Sequence, residues 1–249
     1  MPSLMQFRAE LHVHTVVSPC AEVEMIPPLI IQQAIENHID LIAITDHNST
    51  ANAGAVMKAA EGTGLTVLPG MELQTVEEVH SLCIFETLEK ALEFQKVVDL
   101  ALPSLKNSPE HFGEQFVVDE TGEFIRREER LLIVSTNLTL TKAWLTVNAI
   151  GGLFIPAHVD RKAFGLIENL GFVPQDIHLS AVEISRHLNS RFAVNKYPQL
   201  KGFTLIKGGD AHRLDELTGA NQFMVESRSV DEIKLALLHE SERKVVIID

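Results

Sequence analysis

The chain has 249 residues, a formal net charge of −13 and 45% hydrophobic residues. This suits one large domain or two small ones, with enough apolar material for a full core, and excludes wholesale disorder. The acidic balance argues against a general duplex-DNA binder, because backbone binding needs Lys and Arg to neutralise phosphates. Carboxylates that hold metal are not free negative charge, however, so an acidic protein can still own a positive pocket.

No apolar run reaches the ~20 residues of a membrane-spanning helix, and residues 1–10 show no basic start followed by an apolar stretch. Two cysteines, Cys20 and Cys83, are too few for a disulfide framework. The expectation is a cytoplasmic protein with no membrane partner. Eleven histidines stand against one Trp and one Tyr, so the positions of the histidines carry the argument.

In chain order, the alternation of Phe7 to Val13 predicts a strand, and Pro27 to Asn37 a helix with prolines at its tolerant start. Leu41 to Thr45 is a short apolar run typical of a buried parallel strand. A helix is expected over Ala51 to Glu61, and a strand over Thr66 to Leu68 that leads through Pro69-Gly70 to Glu72. Ser81 to Phe85 predicts a strand, and Leu88 to Leu102 an amphipathic helix. Residues 107–130 are polar, with a hairpin expected around Gly122. The segment at about 88–144 is expected to be an insertion in a single domain spanning 1–249.

Regular alternation returns with a helix over Thr141 to Ile150 and strands Leu153 to Ala157, Ala181 to Ile184 and Phe203 to Lys207. A last helix over Val230 to His239, with Ser229 and Glu232 as a capping box, precedes a closing strand Val245 to Ile248. The class is α/β. Gly151-Gly152 and Gly208-Gly209 lack the Lys and Ser/Thr of a phosphate loop and are expected to allow tight turns.

Metal-ligand residue types recur just after the predicted strands. His12 and His14 lie two apart on an extended chain, so both imidazoles can reach one ion. Asp46-His47, Glu72, His158 and Asp210/His212 follow later strands, and His80 precedes one. Only seven residues separate Glu72 from His80, too few for a crossover helix. A short reversal should therefore bring both side chains to one mouth. Each piece alone is weak, and a lone histidine is more often structural. Together, titratable residues at successive strand ends face one mouth of an α/β barrel, where active sites sit. Mixed imidazole and carboxylate ligands suit Mn, Fe or Zn.

This ordered set resembles the PHP family, named for polymerases and histidinol phosphatase: His-x-His, Asp-His, Glu, two separated His, then Asp-x-His. The resemblance implies a distorted (β/α)7 barrel and a trinuclear site holding two to three divalent transition-metal ions. His12, His14, Glu72 and Asp210 would take a first ion. Glu72 would bridge to a second held by His80 and His158, and His47 and His212 would hold a third. Cys20 falls where the family often adds a ligand; it is either that ligand or a small side chain packed in the loop. Cys83 is assigned to the core. His38, His111, His178 and His239 fall outside the signature.

The implied chemistry is phosphoester hydrolysis by a metal-bridging hydroxide. Arg161 is the best-placed cation for a phosphate oxygen, and His187 is a candidate for phosphate contact or for protonating the leaving oxygen. Asp46 is left either to orient a ligand or to contact substrate. The leading expectation is a small phosphorylated substrate of histidinol-phosphate or nucleotide type, with no duplex nucleic acid. The alternatives are a phosphodiesterase or 3′-5′ exonuclease on short single strands, and a non-catalytic metal-stabilised interaction domain. Sequence leaves substrate and oligomeric state open.

Overall fold

The computed structural model describes residues 3–174 and 177–248, so both ends of the expected 1–249 domain lie outside the described residues. The first strand, β1 (Met5–Val13), becomes wholly buried over its second half, because strands cover both its edges. Helix α1 (Pro27–Glu36) leads to β2 (Leu41–Ile44), which is buried along its whole length and pairs parallel to β1. Helix α2 (Ala53–Ala59) precedes β3 (Thr66–Gln74), parallel to β2, and β4 (His80–Ile84) returns antiparallel to β3. The expected short reversal is therefore present.

Strand β3 runs through Pro69-Gly70 without ending there. Ile44 pairs with Pro69 in the parallel ladder and Gly70 with Ile84 in the antiparallel one, so the proline sits where the pairing changes hand. A proline costs least where a ladder is interrupted. Gly70 answers a different need, since a Cβ there would lie 2.5 Å from the Cys83 carbonyl oxygen.

Helix α3 (Leu88–Ala101), a short α4 (Pro109–Phe112) and the hairpin of β5 (Phe116–Val118) with β6 (Phe124–Arg127) fill the middle of the chain. Helix α5 (Leu140–Ile150), with Thr139 accepting from the Lys142 amide, ends on Gly151 in the left-handed conformation that glycine tolerates. Strand β7 (Leu153–Pro156) pairs antiparallel to β4. After α6 (Leu166–Leu170), the parallel pair β8 (Ala181–Ser185) and β9 (Thr204–Gly208) brackets α7 (Ser190–Lys196). Strand β10 (Asn221–Val225), absent from the sequence expectations, lies antiparallel to β1. Helix α8 (Val230–Leu237) then leads to β11 (Lys244–Ile247) at the edge. Ser229 caps α8 by accepting from the Glu232 amide, but the Glu232 carboxylate binds the Glu226 amide and Arg243 and does not complete a capping box.

The result is a curled seven-stranded sheet in the order β11-β10-β1-β2-β3-β4-β7, with β8 and β9 as a separate pair. It is the distorted barrel that the resemblance implies. Mixed pairing leaves gaps that other groups close. The Asn221 side chain accepts from the Lys207 amide and donates to its carbonyl, joining β9 to β10. Backbone bonds from Ala211 to His12 and from His14 to Ala211, both 3.0 Å, join the loop after β9 to β1.

Buried carboxylates rather than turns explain Gly208-Gly209. A Cβ at Gly208 would strike the Glu183 carboxylate, and at Gly209 it would meet the Glu216 carbonyl oxygen at 2.5 Å and Glu10 at 2.9 Å. Neither glycine needs a positive φ. Among the described residues no helix is long and apolar enough to cross a membrane.

Because the Cys83 carbonyl is fixed in the sheet, Gly70→Ala should cost about 1–3 kcal/mol through overpacking. Urea unfolding should show a lowered midpoint at unchanged slope.

Candidate metal centre

The strand ends deliver the predicted residues to one place. Glu72, fully buried on β3, is the hub: its Oε1 lies 2.9 Å from His80 Nδ1, 3.0 Å from His158 Nε2 and 3.2 Å from His12 Nε2. Its Oε2 lies 2.9 Å from His47 Nδ1 and 3.5 Å from His14 Nε2. Asp210 Oδ1 is 3.2 Å from Nε2 of both His12 and His14. Candidate ligand atoms fall in three groups, each within 4.8 Å internally: His12, His14, Glu72 and Asp210; His47, Glu72 and His80; His14, His47 and His212. The first matches the expected first site. In the second, His47 stands beside the expected Glu72 and His80, while His158 touches the same Glu72 oxygen.

Hydrogen bonds set the tautomers. His12 Nδ1 lies 3.0 Å from Glu183 Oε1, so it carries the proton and Nε2 points its lone pair at the cluster. Ser18 Oγ donates to Asp46 Oδ1 at 2.7 Å, which spends its single proton. The His14 Nδ1 contact with Ser18, at 3.0 Å, must then be a donation from the ring, and His14 Nε2 is left as acceptor. His212 Nδ1 donates to the Asp210 carbonyl at 2.9 Å, which frees its Nε2 as well. His12 Nε2 and His14 Nε2 face each other at 3.1 Å. Two lone pairs at that distance repel, and a proton on His12 or a cation bound by both rings relieves them.

The donor set fits divalent ions on a second count. Glu72 Oε2, Asp210 Oδ1, His80 Nε2 and His158 Nδ1 are buried without a hydrogen-bond partner. Orphaned buried polar atoms on this scale are costly unless something compensates them. The charge states also suit ligation. Burial pushes the Glu72 and Asp210 carboxyls up, but the surrounding histidines prevail and hold both well below the carboxylate range. Burial, with His212 and His47 nearby, pushes His14 well below its usual value. Burial opposes protonation of His12, but Glu183, Glu72 and Asp210 raise it well above the ordinary histidine value.

The backbone is bent to make this possible. His158 and Asp210 adopt positive φ values, 29° and 46°. Such conformations cost of order 1–3 kcal/mol each and cluster at functional sites. Glu183 Oε1 accepts the His158 amide at 3.0 Å, and the Val159 amide donates to the Glu183 carbonyl at 2.8 Å. One residue thus fixes both His12 and the turn that carries His158. Its sequence signal was a carboxylate inside an apolar run, and it lies in the middle of β8. Ser18 carried no such signal. Asp46, fully buried, accepts from the Thr15 amide, Thr15 Oγ1 and Ser18 Oγ, so it orients the His14 loop.

Cys20 is exposed beside His47 and His212. Burial opposes ionisation, but these two histidines outweigh it and bring the thiol down to about 6. Cys83 is buried, as expected. Arg161 pairs with Asp210 Oδ2 at 2.5 Å and is one-third exposed at the mouth. His187 is exposed and outside the lining of the mouth; its neighbour Arg186 is there instead, donating to the Gly209 carbonyl and Glu216. Two recesses meet at Cys20, Arg161, Asp210 and His212. One, of about 410 Å³, adds Arg186, Arg213, Glu22 and Glu216; the other, of about 370 Å³, adds His47, His80, His158 and the apolar Ile133, Ala163 and Phe164.

The PHP domain family matches residues 10–140, more than half of the chain, and the chain belongs to that family. Its sequence is 26% identical over 219 residues to a PolC-type DNA polymerase III of Staphylococcus aureus, covering 74% of this chain but only 15% of that protein. Its fold is similar to that of a lesion-specific endonuclease from Pyrococcus furiosus, with a TM-score of 0.74, 20% identity and coverage of 97% of this chain and 58% of that one. It is also similar to a candidate metal-dependent phosphoesterase from Bifidobacterium adolescentis, at TM-score 0.52 and 17% identity over 82% of this chain and 87% of that one.

A further structure of the same fold, at TM-score 0.69 and 19% identity over 96% of this chain and 58% of that one, is an endonuclease Q in complex with a 27-mer duplex carrying an abasic lesion at the active site. This corrects the expectation of a small phosphorylated substrate and no duplex nucleic acid. Net charge describes the whole surface, whereas phosphate binding depends on the field at the mouth.

Replacing Glu183 with Gln should lower metal affinity about 10–100-fold, as loss of a ligand-orienting carboxylate does. Competition with a chelator would measure it. A second expectation concerns protons. His12 is protonated without metal at neutral pH, because its value is raised, and ligation must displace that proton. Affinity should therefore rise with pH, and the calorimetric binding enthalpy should change with the ionisation enthalpy of the buffer.

Proposed function

We propose that this protein hydrolyses phosphodiester bonds in nucleic acid, with two to three Mn, Fe or Zn ions held by His12, His14, His47, Glu72, His80, His158, Asp210 and His212, and Cys20 beside the third. The reading rests on one observation above all: the cluster lies where two recesses join, so room exists on both sides of a phosphate bound there. A monoester presents one substituent and needs one pocket; a diester in a strand presents two. Divalent ions bound there supply Lewis-acid polarisation of phosphoryl oxygens and acidify water.

The chain's own residues then position the diester. Arg161 faces both recesses, so a small swing away from Asp210 lets its paired donors hold a non-bridging oxygen, with a charge that persists at any working pH. Arg186 and Arg213 line the next stretch, where a neighbouring phosphate would pass; Glu216 holds both guanidiniums in place. His187 has no part in this arrangement. The same reading treats the described chain as one catalytic domain with the segment at 88–144 as an insertion. Asn48 supports this by donating to the Leu132 and Val134 carbonyls while accepting from the Gln74 amide.

The test is a set of end-labelled oligonucleotides, single-stranded and duplex, with and without an abasic site, incubated with protein loaded with each metal. Strand cleavage is expected. Release of phosphate from monoesters with every diester left intact would overturn the reading. Replacing Arg161 with Ala should cut kcat/KM by roughly 10²–10³, with metal content retained in elemental analysis at two to three ions per chain.

A further inference from the structure

The second recess differs from the first in chemistry. Its inner wall is made of the cluster histidines, and its outer wall of Ile133, Ala163 and Phe164. Phe164 is 38% exposed and has a φ of 59°, a left-handed conformation rare for a bulky side chain. Two contacts hold it there. The His80 amide donates to the Phe164 carbonyl at 3.0 Å, and Gly165 packs against the Arg161 carbonyl with no room for a Cβ. The Phe164 ring lies parallel on the His80 imidazole, with centroids 4.4 Å apart and 6° between planes. One face is therefore covered, and the exposed part is its edge and opposite face.

Fold stability does not ask for this arrangement, since a large apolar side chain left open at a polar mouth gains little from burial. Strain at such a position is the mark of a functional constraint. A volume of about 370 Å³ lies in the range of sites for small planar ligands.

We infer that Phe164 is a stacking platform for one nucleobase adjoining the scissile phosphate, so that the recess beside His80 takes a base while the arginine-lined recess takes backbone phosphate. This inference rests on the phosphodiesterase reading and adds to it which part of the substrate goes to which side. Base–aromatic stacking tolerates any base, because every base has a π-face. The site should therefore favour the presence of a base over its identity.

The experiment uses full-length, metal-loaded protein. Calorimetry compares deoxyadenosine 5′-monophosphate with deoxyribose 5-phosphate on wild type, Phe164→Ala and Phe164→Trp. Wild type and the Trp variant should bind the base-bearing ligand about 10-fold tighter or more. The Ala variant should lose that difference while still binding the sugar phosphate, which also shows that its cluster is intact. Equal affinity for the two ligands in wild type, or a difference that survives Phe164→Ala, would overturn the inference even if oligonucleotides are cleaved. A difference that depends on Phe164 while no oligonucleotide is cut would instead sink the phosphodiesterase reading and leave a nucleotide-binding platform.

Discussion

Everything in this molecule depends on how lone pairs are crowded around Glu72. Five imidazoles and two carboxylates put polar atoms within about 3.5 Å of one another at the inner wall of the recess. Without positive charge such an array repels itself, and protons compensate it only in part: His12 is driven to hold one while His14 is driven to lose one. Divalent ions would satisfy these atoms together. The cluster is therefore a cost to the apo fold that ligation repays.

That cost explains features remote from the chemistry. The surrounding structure must hold His158 and Asp210 in conformations they would not choose. It does so with fixed hydrogen bonds: Glu183 to the His158 amide, and backbone bonds from Ala211 to β1. Glycines at 208 and 209 exist because Glu183 and Glu10 need space beside β9. The mixed pairing of the sheet serves the same end. A wholly parallel barrel would need a helix between β3 and β4; the antiparallel turn places Glu72 and His80 on neighbouring strands, 2.9 Å apart.

The mouth brings candidate metal ligands, three guanidiniums and the Phe164 ring side by side. An overall charge of −13 says little about this opening, where Arg161, Arg186 and Arg213 converge beside Glu22, Asp210 and Glu216. Long-range steering and local recognition are separate quantities.

The sequence by itself determined which residues are candidate ligands, because residue type decides what can bind a metal and strand periodicity decides which side chains share a face. His12/His14, Asp46-His47, Glu72, His80, His158 and Asp210/His212 were all legible as strand-end residues. So was the reversal between Glu72 and His80, from its length alone. Only the tertiary structure decided what turns each imidazole. Glu183 reaches His12 across 171 positions and Asp46 reaches Ser18 across 28, and no local pattern encodes a partner that distant. It also left His187 outside the lining of the mouth and put its neighbour Arg186 there. The same holds for the capping residue Glu232, drawn away by Arg243, and for Pro69 inside β3: a local signal marks what a segment can do, and its neighbours settle what it does.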